Sequence, residues 1–204
     1  MTNIMSILDT IWAVTTPLEW SAMFFTTVCI FLAGRNNVHT WWTGLVGCVL
    51  YGILFYQYRL FADTTLQVFF VGTGIIGWLN WTRTRKSGLV TPEPDISKVG
   101  FSTLAKMFGV AIIVAAIYST ILSQFTVAYS PGIDSAILTF SVVAQLLLMR
   151  RRIETWAVWL IVNTMAVPLF FTRELYLTSA FYALFWLHAW YAWWQWNKIY
   201  QSQK

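Results

Sequence analysis

The sequence predicts an all-α membrane protein: seven transmembrane helices in a 3+1+3 plan, two parallel three-helix repeats joined by one linking helix. Three observations carry that prediction. The composition is apolar and poor in charge, seven apolar runs alternate with a one-sided set of basic residues, and the chain repeats itself at a spacing of 115 residues.

Of 204 residues, 58% are hydrophobic and 10% charged, and mean hydropathy is +0.61. A soluble domain carries about 25% charged residues. A soluble fold with so few could not cover its own surface. This excludes an ordinary cytosolic domain, a disordered chain and a disulfide scaffold. The 13 Trp exceed what an interfacial aromatic belt requires. The net charge of +5 sits in short clusters between apolar runs, the pattern of cytoplasmic loops and not of a nucleic-acid-binding surface.

Residues 1–16 lack the basic n-region of a signal peptide and carry Asp9. Ile4, Ile7, Leu8, Ile11 and Trp12 share a helical face, which predicts a short interfacial segment. A helix needs roughly 20 residues to cross a bilayer. The spans are expected at 18–33, 40–58, 64–81, 104–125, 135–149, 155–171 and 176–196. Several are short, so tilt or local thinning is expected. The polar stretch 83–98, with Pro92 and Pro94, is read as a loop, and Ser130-Pro131-Gly132 as part of a turn. Cys29 and Cys48 lie inside apolar runs and are expected to be inert buried thiols.

Alternate loops fall on alternate sides of the membrane. One side holds Arg59 and Arg173; the other holds the remaining 11 of the 13 Lys and Arg, including Arg150-Arg151-Arg152. The positive-inside rule makes the crowded side cytoplasmic, with the N-terminus outside and the C-terminus inside. The triple arginine is read as a topology signal.

Sliding the chain by 115 residues lays 17–81 over 132–196 without a gap, and 13 of the 65 pairs are identical. Arg35 meets Arg150, Thr40-Trp41 meets Thr155-Trp156, Leu54-Phe55 meets Leu169-Phe170, and Trp78 and Trp81 meet Trp193 and Trp196. Three spans are an odd number, so two directly joined copies would be antiparallel; a fourth helix between them restores the orientation. The division is therefore an interfacial segment (1–16), a first repeat (17–82), a cytoplasmic loop with linker helix (83–131), a second repeat (132–197) and a cytoplasmic tail (198–204). Parallel repeats of this kind occur in transporters, with the substrate site between the halves.

Polar groups deep in spans are functional candidates, because lipid makes them costly. Gln67, Gln145, Asn163 and His188 meet that description. Trp156, Trp159 and Asn163 fall on one helical face. Two indoles and a carboxamide on one stripe suit a flat, polar, cationic ligand, since indole faces attract cations and an amide both donates and accepts. Each candidate has a plainer role: Trp156 as an interface anchor, Asn163 as interhelical glue, His188 as a packed histidine. Trp193, Trp194 and Trp196 are read as belt residues; Trp78 and Trp81 share that alternative. No Asp, Glu, Lys or Arg lies near the centre of a span, and no catalytic or metal-binding constellation is present in the sequence. Facilitated diffusion is expected, with no enzyme activity and no cofactor.

Leu66-Gln67-Val68-Phe69-Phe70 with Gly77-Trp78 and Trp81, and Asp134-Ser135, Arg150–Arg152 and Trp156-x-x-Trp159-x-x-x-Asn163, resemble the third, fifth and sixth spans of the PnuC family of vitamin transporters. The resemblance extends over 17–197. It implies a fold related to SWEET sugar transporters, uniport of nicotinamide riboside across the bacterial inner membrane with trapping by a cytoplasmic kinase, and a homotrimer. It also implies that Gln67, Trp156, Trp159 and Asn163 line the substrate site; Trp78, Gln145 and His188 complete the candidate set. The chain departs from the family at Gly74, where relatives often have Asn, and at His188-Ala189-Trp190. Both lie near the presumed pocket, so thiamine or riboflavin is the alternative substrate. A seven-helix ligand sensor is the distant alternative; it would make the parallel repeat an accident.

Overall fold

The structure, a computed structural model, describes residues 16–57, 61–86, 96–125, 131–172 and 176–203. Among these residues it is helical apart from short connections: α1 (Pro17–Gly34), α2 (Thr40–Gln57), α3 (Phe61–Lys86), α4 (Phe101–Phe125), α5 (Pro131–Met149), α6 (Glu154–Thr172) and α7 (Tyr176–Ser202). The interfacial helix expected over 1–16 lies outside the described residues, apart from Thr16, which caps α1 by accepting from Glu19 N–H at 3.2 Å. Four helices, α1, α4, α5 and α6, are long and apolar enough to cross a membrane. The aromatic-rich α2 and α7 score lower because Trp and Tyr rank as interfacial on hydropathy scales.

Three boundaries differ from the sequence reading by four residues or more. Helix α3 continues to Lys86 and α7 to Ser202, because Lys, Arg and Gln are good helix formers and can extend a span into water. Helix α5 begins at Pro131, where proline's fixed φ suits the first turn and its missing N–H costs nothing.

The helices pack as a closed ring in the order α1, α2, α3, α5, α6, α7 and back to α1, while α4 leans on α5 alone among the described helices. Phe108 meets Phe140 edge-on at that contact, with centroids 5.3 Å apart. The rest of α4 presents Val110, Ile112, Ile113 and Ile117 outward, the surface a bilayer would cover.

Local features recur at the 115-residue spacing. Thr40 Oγ1 donates to Cys29 O at 2.8 Å, and Thr155 Oγ1 to Ala144 O at 2.8 Å. The Thr of each Thr-Trp pair thus ties the second helix of its half to the first. Helices α1 and α5 end in the same turn: Asn36 N–H bonds Ala33 O and Asn37 N–H bonds Leu32 O, matched by Arg151 to Leu148 and Arg152 to Leu147. This crossed pair is a Schellman cap, which needs a left-handed residue just past the helix. Asn36 and Arg151 fill that place with φ of 52° and 50°.

Hydrogen bonds between α1–α3 and α5–α7 gather at one end, the end carrying Arg35 and Arg150–Arg152. Trp81 Nε1 donates to Met149 O and Trp196 Nε1 to Ala33 O, both at 3.2 Å. His188 Nε2 lies 3.0 Å from Ile30 O. The pairings ascend together along α1 and α7, so those helices run parallel. Arg151 Nε donates to Asn36 Oδ1 at 3.2 Å, and its guanidinium stacks 4.0 Å from the Trp81 ring centroid. The segment before α4 docks at the same end: Ser97 N–H donates to Arg151 O and accepts from Ile153 N–H, both at 3.1 Å, and Glu154 Oε2 accepts from Val99 N–H at 3.0 Å.

Arg151 was expected only as a topology signal. It is 5% exposed, and burial pushes its guanidinium down to about 10, so it remains a cation at neutral pH. A double-mutant cycle of Arg151→Ala and Asn36→Ala, read from unfolding in detergent, should give a coupling of about 1–2 kcal/mol. Additive losses would mean the pair does not hold the two halves.

Candidate functional site

The seven candidate residues fall into three groups. Trp156, Trp159, Asn163 and His188 form the first. Trp156 is 3% exposed, with the His188 ring edge-on at 6.1 Å and Trp196 edge-on at 5.5 Å. Trp159 is half-buried and packs against both hydrophobic clusters of the core. Asn163 lies two turns along α6, about 10 Å from Trp156 by helical rise. Its side chain is buried and makes no hydrogen bond to a described residue. The fully enclosed polar atoms without a partner include Nε1 of Trp41 and Nε1 of Trp156, but not the Asn163 amide.

His188 combines a packing role with its place beside Trp156. Its ring lies 4.3 Å from Phe31, and a Cβ on Gly34 would come within 2.5 Å of Nε2. The glycine is what lets the imidazole reach the α1 backbone.

Gln67 forms a second group. It lies in an open groove of about 390 Å³ between α2 and α3, beside Cys48, Gly52 and Val71. At the repeat spacing, Cys48 and Gln67 correspond to Asn163 and Tyr182. Neither carboxamide is thus repeated in the other half, and the two stand on different helices of their halves. The third group lies apart from the ring contacts of Trp156. Gln145 is half-buried on α5, and Trp78 is 40% exposed on α3.

The belt reading of Trp196, and the same alternative for Trp81, is corrected by their burial: Trp81 is 1% and Trp196 0% exposed, while Trp194 is 62% exposed. With 100° per residue, one helix turns Trp196 inward and Trp194 outward. Trp41 is a further missed residue, 4% exposed and edge-on to Trp81 at 5.3 Å. Its pairing with Trp156 in the repeat was the available signal. Cys29 and Cys48 are free thiols, and no metal-binding group of His, Cys, Asp or Glu occurs among the described residues.

Such a ring, with aromatic and amide groups inside apolar helices, has the character of a membrane carrier. Comparison with known proteins specifies which. The sequence profile described as "Nicotinamide mononucleotide transporter" matches residues 16–198. The nicotinamide riboside transporter PnuC of Escherichia coli K12 is 27% identical over 179 residues, covering 77% of this chain and 75% of the relative. That of Haemophilus influenzae is 24% identical over 196 residues, covering 92% and 85%. The crystal structure of the vitamin B3 transporter PnuC superposes with a TM-score of 0.73 at 19% identity, covering 98% of this chain and 89% of that one. The chain belongs to this nicotinamide mononucleotide transporter family, that of the PnuC membrane transporters.

Gly77 leaves the room that the Trp41 ring occupies. A Cβ there would run into the six-membered ring of Trp41, and the corresponding residue in the second half is Ala192. Gly77→Ala should therefore displace Trp41 and cost about 1–3 kcal/mol, visible as a lowered melting temperature in detergent. An unchanged melting temperature would mean that Trp41 has room to yield.

Proposed function

We propose that the protein carries nicotinamide riboside inward across the bacterial inner membrane by facilitated diffusion. The observation that carries this reading is the α6 stripe: Trp156 and Trp159 one turn apart, with the buried amide of Asn163, which bonds no described residue, beyond them. Nicotinamide riboside is a flat pyridinium cation bearing a carboxamide and a ribose. An indole face attracts such a cation by about 2 kcal/mol where water is excluded. The Asn163 amide can donate to and accept from the substrate carboxamide. Gln67 contributes the corresponding group from the first half, with Trp78, Gln145 and His188 as further contacts. The names of the relatives support this substrate.

In this reading α1–α3 and α5–α7 are parallel repeats around the linker α4, a 3+1+3 plan of the SWEET kind with all seven helices crossing the bilayer. The recurring caps and Thr bonds support it. The basic end is cytoplasmic, with the N-terminus outside. The lack of Asp, Glu, Lys and Arg at mid-span in the sequence supports uniport, because coupled carriers commonly place such groups there. Net uptake then needs a sink, and phosphorylation of the product by a cytoplasmic kinase would supply one. The working assembly is a homotrimer.

Titration of the purified protein with nicotinamide riboside, thiamine and riboflavin, read by Trp fluorescence, should rank nicotinamide riboside tightest. Tighter thiamine binding would transfer the site to that vitamin, which also offers a flat cation. Asn163→Leu should weaken nicotinamide riboside binding by roughly a hundredfold, since it leaves a polar group of the ligand unpaired; wild-type affinity would reduce Asn163 to interhelical glue. Uptake into liposomes should persist when proton and sodium gradients are abolished, and its loss would sink the uniport reading.

A further inference from the structure

Four indoles close the ring at its basic end. Trp41 stands edge-on to Trp81 and Trp156 edge-on to Trp196, both at 84°, and Trp81 meets Trp196 across the two halves at 6.4 Å. None of the four is more than 4% exposed. Their N–H groups are of two kinds. Those of Trp81 and Trp196 donate across to Met149 O and Ala33 O. Those of Trp41 and Trp156 are sealed in with no acceptor. Each kind is a pair at the repeat spacing of 115 residues.

The two kinds oppose each other. A bond across the halves favours the closed arrangement by roughly threefold to tenfold over its exchange for water. A donor buried without an acceptor disfavours it by roughly fivefold to a hundredfold, because opening would restore its water. A packed contact held by two bonds and strained by two unpaired donors can exist in two discrete arrangements, which is what a gate requires.

We propose that the Trp41–Trp81–Trp156–Trp196 tetrad is the inner gate of this carrier. In the closed form Trp81 and Trp196 bolt each half to the other. In the open form both bolts pass to water, and the N–H groups of Trp41 and Trp156 gain partners. Arg151 sits over Trp81 only, since its counterpart in the first half is Asn36, so this bolt alone carries a cationic cover.

The test uses the sign of the effect. In a Cys29→Ala, Cys48→Ala background, Asn163→Cys is labelled with a membrane-impermeant maleimide, applied to the basic face in inside-out vesicles and to the opposite face in right-side-out vesicles. Trp81→Phe and Trp196→Phe each remove a bolt and should speed labelling from the basic face by roughly threefold to tenfold. Trp41→Phe removes an unpaired donor and should slow it by about fivefold or more. All three substitutions shrink the ring equally, so a packing effect alone would move all three the same way. If Trp81→Phe fails to fold, Trp196→Phe makes the same test from the other half. Changes of one sign, or none, with a parent that labels, overturn the gate and leave the carrier reading standing. A parent that labels from neither face overturns the lumen at Asn163 and the gate with it.

Discussion

The bilayer removes the force that holds soluble domains together. Lipid tails are as apolar as Leu, so helices gain nothing by hiding apolar surface from them. What remains is close packing and directed hydrogen bonds, and both are concentrated where α1 and α5 end. The last carbonyls of a helix have no partner within it. Ala33 and Met149 belong to those last turns, and each accepts an indole N–H from the opposite half. The carboxyl ends of two helices are thus capped by Trp from α7 and α3. Small residues bring the backbones within reach: Ala33, Ala189 and Ala192 are all buried in the same cluster. The Trp surplus in the composition has its main structural use here.

The same position must differ between halves where it meets itself. Asn36 and Arg151 occupy equivalent left-handed caps and touch each other. Two arginines there would repel. One donor and one acceptor satisfy the contact. Asn visits the left-handed region readily, whereas Arg at that φ costs about 1 kcal/mol or more. The guanidinium's bond to Asn36 and its stack on Trp81 offset that strain. The neighbouring Ser97 to Arg151 and Ile153 bonds hold the turn from the far side.

Much of this architecture was legible in the sequence. Seven apolar runs gave seven helices, and the 115-residue offset matched helices, caps and the Thr-Trp bonds. What was not legible is direction. In a membrane, lipid-facing and core-facing positions are both apolar, so periodicity does not say which side of a helix faces inward. Trp196 was therefore read with Trp194 as a belt residue, and Trp81 shared that alternative, though Trp81 and Trp196 form the centre of the contact. Arg151 was hidden for a related reason: in Arg150-Arg151-Arg152 nothing but the turn geometry separates the buried residue from its neighbours. The α6 stripe was legible because its spacing alone puts Trp156, Trp159 and Asn163 on one face. Gln67 was legible as a deep polar residue, but its groove between α2 and α3 depends on packing that one sequence does not reveal.

On the reading of two parallel repeats, a ring with near-twofold symmetry presents an asymmetric ligand with a difficulty. Identical walls would offer the same groups to the pyridinium and to the ribose. The candidate positions differ between the halves: Asn163 stands opposite Cys48 in the repeat, Gln67 opposite Tyr182, and His188 opposite Thr73. Thr73 spends its hydroxyl on the carbonyls of its own helix, while His188 spans to α1. The pattern is kept in the caps and in the indoles at the basic end, where the two halves bond each other, and lost at the middle of the spans. On the carrier reading, that division is the one transport requires: a symmetric closure can part as two rigid halves, while the differentiated middle distinguishes one end of the substrate from the other.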